Sequence, residues 1–367
     1  MTTTLTQTTG AATVPATMKG IQKTKAGPGF EWADVPVPNY GTNEVLIKVL
    51  ATSMCGTDVH ITRWDEWSAS RIKPPMVYGH EFCGEVVALG TSVTSVQLGD
   101  RVSAEMHLIN PVQTPTGTRY EDTRIIYGVD AQGCFAHYIA LPALQLVKLP
   151  ANITPQVGAC LDSLGNAVHT VTRGDVAGKT VLITGCGPIG LFAIPVAKAL
   201  GATHVWASDI SDYRLDKARE AGADRVIDAR KESVVDVIHT DCVEMGRTSS
   251  MSLGVDVVLE MSGNIRAIND GLDALAYDGT LVMLGIPPGP IELDINKRVI
   301  FKNARLVGCN GREIFRTWDI MLDLLAKGLV DINFIITHEM PLSQFGEAIE
   351  LVASGQTGKV IMIPDAL

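Results

Sequence analysis

Between residues 175 and 309 the chain repeats one rhythm: short, continuously apolar strands with helical stretches between most of them. The strands read TVLIT (Thr180–Thr184), HVWASD (His204–Asp209), DRVID (Asp224–Asp228), VDVVLE (Val255–Glu260) and TLVMLG (Thr280–Gly285). A strand that is apolar on both faces must be covered on both. Helices alternating with such strands provide that cover, in a doubly wound parallel sheet of the α/β class. Residues 18–150 have a different texture, rich in Gly, Pro, Val and Thr. Runs such as Glu44–Leu50, Gly84–Leu89 and Ala136–Leu141 are broken by turns, which predicts a β-rich domain of short strands. Beyond residue 309, Phe315–Gly328 and Leu342–Ser354 have the pattern of amphipathic helices and Val360–Ile363 that of a last strand. The parallel sheet looks complete by about residue 309, so this tail is expected to return to the first domain. The division expected is a flexible extension (1–17), a β-rich catalytic domain (18–170 and 310–367) and a nucleotide-binding domain (171–309).

The strand Thr180–Thr184 runs directly into Gly185-Cys186-Gly187-Pro188-Ile189-Gly190 and then a helical stretch, Leu191–Leu200. Glycines at 185, 187 and 190 suit a tight turn, a backbone close to a pyrophosphate and a closely packed helix, whose N-terminus offers partial positive charge. Such a motif is weak alone. A strand before it, a helix after it and an acid at the end of the next strand make it specific. That acid is Asp209, nineteen residues beyond Gly190. A carboxylate there accepts hydrogen bonds from ribose hydroxyls and repels a 2′-phosphate, so NAD is expected rather than NADP. Arg214 lies near enough to rest over the adenine or pair with the acid.

Composition narrows the remaining classes. The net charge is −10, with a pI near 5.3, against a general binder of nucleic acid or anionic membrane. No run approaches about 18 apolar residues, so no membrane span is expected. The Thr-rich start lacks the basic and apolar segments of a secretory signal. Seven cysteines, odd in number, widely spaced and without CxxC, fit a reducing cytoplasm better than a disulfide framework.

Two further segments carry chemistry. Cys55-Gly56-Thr57-Asp58-Val59-His60 lies in a turn-rich stretch, and Gly79-His80-Glu81 follows. Thiolate, imidazole and carboxylate together suit a tetrahedral Zn²⁺ with a position left for substrate. Each residue alone reads as structural; the combination does not. With Gly84, Gly90 and Val93 the second segment reads GHExxGxxxxxGxxV, which resembles the zinc-dependent medium-chain dehydrogenases, a family with a GroES-like catalytic domain and a Rossmann domain. The segments WDEW (Trp64–Trp67), LGNAVHT (Leu164–Thr170), LEMSG (Leu259–Gly263), LGIPP (Leu284–Pro288) and SGQTGKV (Ser354–Val360) extend the likeness over about residues 18–364, and WDEW and LGNAVHT resemble its threonine-oxidising branch.

The resemblance implies roles. Cys55, His80 and Glu81 fall on zinc ligands. Asp162 falls on an acid that binds the metal, serves the proton relay or orients a ligand. Thr57 and His60 fall on the relay. Ile189, Asp209, Arg214, Leu284, Gly285, Ile286, Cys309 and Asn310 fall on NAD contacts, and Trp64, Trp67 and His107 near the substrate pocket. His137 and His169 are expected to be structural. The implied reaction is hydride transfer from the secondary alcohol of L-threonine to NAD, giving 2-amino-3-oxobutyrate; a polyol or vicinal diol is the alternative substrate. The implied assembly is a homotetramer. One departure stands out: the family's lobe of four cysteines around a structural zinc is replaced by Leu108–Tyr127, and no cysteine occurs between Cys83 and Cys134, so one catalytic zinc per subunit is expected. The segment Asp241–Leu253 reads as a mobile surface loop.

Overall fold

The computed structural model describes residues 14–115, 117–249 and 251–366. They form two compact units: one takes the described residues up to Leu161 together with those from His338, the other Asp162–Thr337. Of the extension expected at 1–17, positions 1–13 lie outside the described residues, while Thr17 already opens the strand Thr17–Lys23, paired antiparallel with Glu31–Pro36.

In the first unit the strand Glu44–Ser53 is central. It pairs antiparallel with Phe82–Leu89, Tyr138–Pro142 and Lys359–Ile363. The last of these brings the C-terminal strand into a seven-stranded sheet begun more than 300 positions earlier. Phe345, fully buried, fixes the helix Phe345–Ser354: its ring lies edge-on to Phe30, Phe135 and Tyr78 at 4.8, 5.2 and 5.6 Å. Each such aromatic pair adds about 0.5–1.5 kcal/mol beyond its buried area. Where the cysteine lobe was missing, His107–Thr114 and Gly117–Ile126 pair antiparallel as a hairpin. Arg71 ties down its base, donating twice to Asp130 at 2.7 Å and once to Arg124 O at 2.9 Å.

The second unit carries a six-stranded parallel sheet in the order Arg225–Asp228, His204–Asp209, Thr180–Thr184, Val255–Glu260, Leu275–Met283, Arg305–Gly308. The strand Thr180–Thr184 is buried throughout, as cover on both faces requires. The boundaries differ from those expected at 170/171 and 309/310. Helix Leu161–Gly174 belongs here because it packs on the sheet: a Cβ at Gly174 would lie 2.8 Å from Val257. The segment after 309 stays here as far as Thr337, where Lys217 donates to Phe334 O at 3.0 Å. The expected loop Asp241–Leu253 also needs correction. Asp241–Glu244 complete the helix Val234–Glu244, Cys242 is buried, and Asp241 accepts from the indole of buried Trp206 at 2.8 Å. Arg247 then donates to Gly254 O at 2.7 Å and to Asp256 at 2.9 Å, fixing the turn. Among the described residues no helix is long and apolar enough to cross a membrane.

Candidate active site

Cys55 caps the helix Gly56–Arg63. Its sulfur accepts from Thr57 N at 3.3 Å, and Asp58 Oδ2 accepts from Cys55 N at 2.8 Å, a reciprocal capping box. The cap sets the sulfur at the positive end of the helix, where negative charge is favoured. Cys55 Sγ lies 3.3 Å from His80 Nε2. Gly79 aims that imidazole: its φ is +98° and a Cβ there would come within 2.5 Å of the Phe135 ring, so no other residue fits the turn. Behind His80 is Asp58, fully buried, with Oδ1 3.9 Å from His80 Nδ1 and without a hydrogen-bond partner among the described residues. Carboxylates behind metal-binding histidines fix the ring and raise its basicity. Sulfur, nitrogen and oxygen from Cys55, His80 and Asp58 all lie within 4.8 Å of one another. Burial pushes the Asp58 carboxyl up to about 6, against the opposing pull of His80. This donor set fits a borderline-soft cation such as zinc.

Glu81 stands beside it. One of its oxygens comes within 4.8 Å of a His80 nitrogen. Its Oε2 is held by Lys359 Nζ at 2.5 Å and by the Ser53 hydroxyl, and Lys359 also donates to Met54 O at 3.1 Å. Both members of this ion pair are fully buried. Burial alone would lower the Lys359 pKa, but Glu81, Cys160 and Cys55 together raise it, so the ammonium stays charged. Asp162 is the first residue of the second unit, where Arg312 Nη1 lies 2.7 Å from its Oδ1 and donates to its carbonyl at 2.9 Å. Cys55 and Cys309 are the partly exposed cysteines, whereas burial pushes the thiols of Cys83 and Cys160 up to about 12, out of reach of metal or oxidant.

Thr57 and His60 share the helix that Cys55 caps. His60 is 62% exposed and its Nδ1 meets Asp65 Oδ2 at 2.5 Å. Trp67 lies nearby, its ring centroid 6.4 Å from that of His60, with the Arg71 guanidinium 5.7 Å over it. Trp64 turns inward: it takes the left-handed cap of the helix, packs against the core and lies under Lys23 Nζ at 5.1 Å. His107 starts the hairpin, with Nδ1 on Asp122 at 2.9 Å. His137 and His169 meet backbone carbonyls, His137 at Lys19 and Asp365, His169 at Gly311.

In the second unit the glycine turn follows Thr180–Thr184 and leads into the helix Pro188–Ala199, capped by Gly187. A Cβ at Gly190 would strike Gly185 O at 2.0 Å, so helix and turn close only around a glycine. Ile189 sits in the first turn of that helix. Asp209 ends the neighbouring strand and locks the turn: Oδ2 accepts from Cys186 N at 2.7 Å, Oδ1 from Ile210 N and Ser211 N, and Arg214 Nη1 is 3.9 Å away. Leu284 and Gly285 donate to Glu260 O at 2.9 and 3.1 Å, and Ile286 beyond them is 89% exposed. Cys309 N donates to Met283 O at 2.8 Å, its sulfur meets Thr170, and Asn310 follows.

Asp58, Lys359, Arg312 and Glu260 were not singled out from the sequence. Asp58 carried a signal, since it stands in the segment Cys55–His60. Lys359 did too, as a lysine within the SGQTGKV segment, directly before an apolar run.

The chain matches the family models "Alcohol dehydrogenase GroES-like domain" over residues 41–151 and "Zinc-binding dehydrogenase" over residues 188–327. It is 44% identical to the L-threonine 3-dehydrogenase of Symbiobacterium thermophilum over 354 residues, covering 95% of this chain and 98% of that protein. Among solved structures it resembles a chain from Sinorhizobium meliloti assigned as a zinc-binding dehydrogenase and bound to NADP (TM-score 0.82, 27% identity), covering 95% of this chain and all of that one. It also resembles the 2R,3R-butanediol dehydrogenase of Bacillus subtilis, with TM-score 0.81, 25% identity and 95% and 100% of the two chains covered.

Proposed function

Because the chain belongs to the zinc-binding dehydrogenase family, in the branch of the L-threonine 3-dehydrogenases, we propose that it oxidises the secondary alcohol of L-threonine to 2-amino-3-oxobutyrate with NAD and one catalytic zinc per subunit. The observation that carries this reading is the sulfur and imidazole of Cys55 and His80, 3.3 Å apart at a helix N-terminus with buried Asp58 behind them. A bound zinc supplies Lewis-acid polarisation of an alcohol oxygen, and the nicotinamide accepts the hydride.

The protein's own groups divide the remaining work. Cys55 and His80 hold the metal, with Glu81 and Asp162 as the acids available to it. One thiolate and two carboxylates around a divalent cation would leave a net charge of −1. Lys359, buried against Glu81, restores neutrality. Thr57 and then His60 carry the proton outward: His60 is exposed and Asp65 orients its imidazole, a side chain suited to passing a proton to water. Trp67 and Trp64 wall the substrate side, with His107 toward the substrate carboxylate. Gly185, Gly187, Ile189 and Gly190 seat the pyrophosphate and Asp209 the adenosine ribose, with Arg214 beside it. Leu284, Gly285, Ile286, Cys309 and Asn310 line the rest. The Asp209 carboxylate supports NAD over NADP.

The same reading makes the protein a cytoplasmic homotetramer. Its support is the open edge of the Arg305–Gly308 strand, next to exposed Ile300 and Phe301, and light scattering tests it. The decisive experiment combines metal analysis of the active protein with turnover of L-threonine and 2,3-butanediol, each with NAD and NADP. About one zinc per chain and turnover of threonine with NAD are expected. Brisk diol oxidation without threonine turnover moves the assignment to the diol.

A further inference from the structure

We propose that Glu260 is a positioning residue for the nicotinamide half of the coenzyme, an inference that rests on the dinucleotide reading of the second unit. Strand order locates that half. The glycine turn follows Thr180–Thr184, which has His204–Asp209 on one side and Val255–Glu260 and Leu275–Met283 on the other. Ligands of such sheets lie across the point where strand order reverses. Asp209 assigns the adenosine to the His204–Asp209 side and the helix at Pro188 takes the pyrophosphate, so the nicotinamide half must lie over the ends of the other two strands.

Glu260 is at that place and is fully buried. Its Oε1 accepts from Ser262 N at 2.8 Å, from Gly263 N at 3.0 Å and from the hydroxyl of Ser262, and Thr184 Oγ1 donates to it at 3.4 Å. Its backbone carbonyl takes Leu284 N and Gly285 N. One residue therefore joins the ends of three adjacent strands. A Cβ on Gly285 would come within 2.1 Å of Gly263 N and 2.6 Å of Glu260 Oε2. The loops it joins, Ser262–Ile265 and Ile286–Pro288, face each other across an open cleft. An acceptor-only carboxylate suits this cluster of donors. An amide would present two N–H groups in place of one oxygen and leave a donor facing donors.

Glu260→Gln and Ser262→Ala, the second removing one hydroxyl from the carboxylate, are titrated with NADH and with ADP-ribose, which lacks the nicotinamide, using metal-free full-length protein. Glu260→Gln is expected to weaken NADH about tenfold and Ser262→Ala about threefold, both leaving ADP-ribose within about twofold, as expected for the loss of one or two buried hydrogen bonds. Parallel loss of both ligands in either variant that folds, or no change for NADH, overturns the proposal. Unmodified protein that binds neither ligand refutes the dinucleotide reading itself and the proposal with it.

Discussion

Replacing Lys359 by Met removes the ammonium that directly contacts the buried Glu81 carboxylate. Lys359 Nζ is 2.5 Å from Glu81 Oε2, and neither side chain exposes more than 2% of its surface. Breaking a buried pair by removing one partner costs about 3–5 kcal/mol, because the remaining charge is left without compensation. The strength of the pair itself is a smaller matter, since its attraction is largely offset by desolvation. The double variant Lys359→Met/Glu81→Gln should therefore recover most of the loss. At roughly 2–4 °C per kcal/mol for a unit of this size, the single variant should melt about 6–20 °C lower than the unmodified chain. Urea unfolding of zinc-stripped protein measures both variants without interference from metal binding. Additive losses in the double variant, or a single-variant cost below about 1 kcal/mol, would show that the two groups are not an isolated buried pair.

Asp58 makes stability depend on pH. Its folded pKa of about 6 exceeds the ordinary carboxyl value of 3.8, so the folded state holds its proton more tightly. The contribution is fully present below the unfolded value and is lost as pH rises through 6, a change of about 3 kcal/mol in metal-free protein. Urea midpoints between pH 4 and 7 should show this slope, and Asp58→Asn should abolish it. His60→Ala should lower kcat about 10²-fold or more and be partly rescued by added imidazole, since general acid–base groups contribute on that scale; unchanged kcat would remove His60 from the relay.

What the sequence disclosed divides along physical lines. Five of the six strands of the parallel sheet were legible as short, largely apolar runs, and the glycine turn because strand, turn and helix are contiguous; the exposed edge strand Arg305–Gly308 was not. Asp209 followed from a fixed distance along the chain. The pair Glu81–Lys359 was not legible: its members are 278 positions apart and meet only through the pairing of Lys359–Ile363 with Glu44–Ser53. Asp162 was marked as an acid, but Arg312, 150 positions on, was not visible as its partner. The hairpin at His107–Ile126 was noted only for its lack of cysteines, since charged and polar residues on both strands blur the alternation that signals a sheet. The segment Asp241–Leu253 misled because its polar composition hid a helix end held by a buried indole.

The division of the chain also bears on its synthesis. The second unit is contiguous, from Asp162 to Thr337, and can fold as soon as it leaves the ribosome. The first cannot close its sheet until its final strand has been translated. At roughly 5–20 residues per second, Glu81 waits about 14–56 s for Lys359. During that interval the nascent first unit lacks both the Phe345 ring and the cation its interior requires, leaving it open to chaperones and proteases.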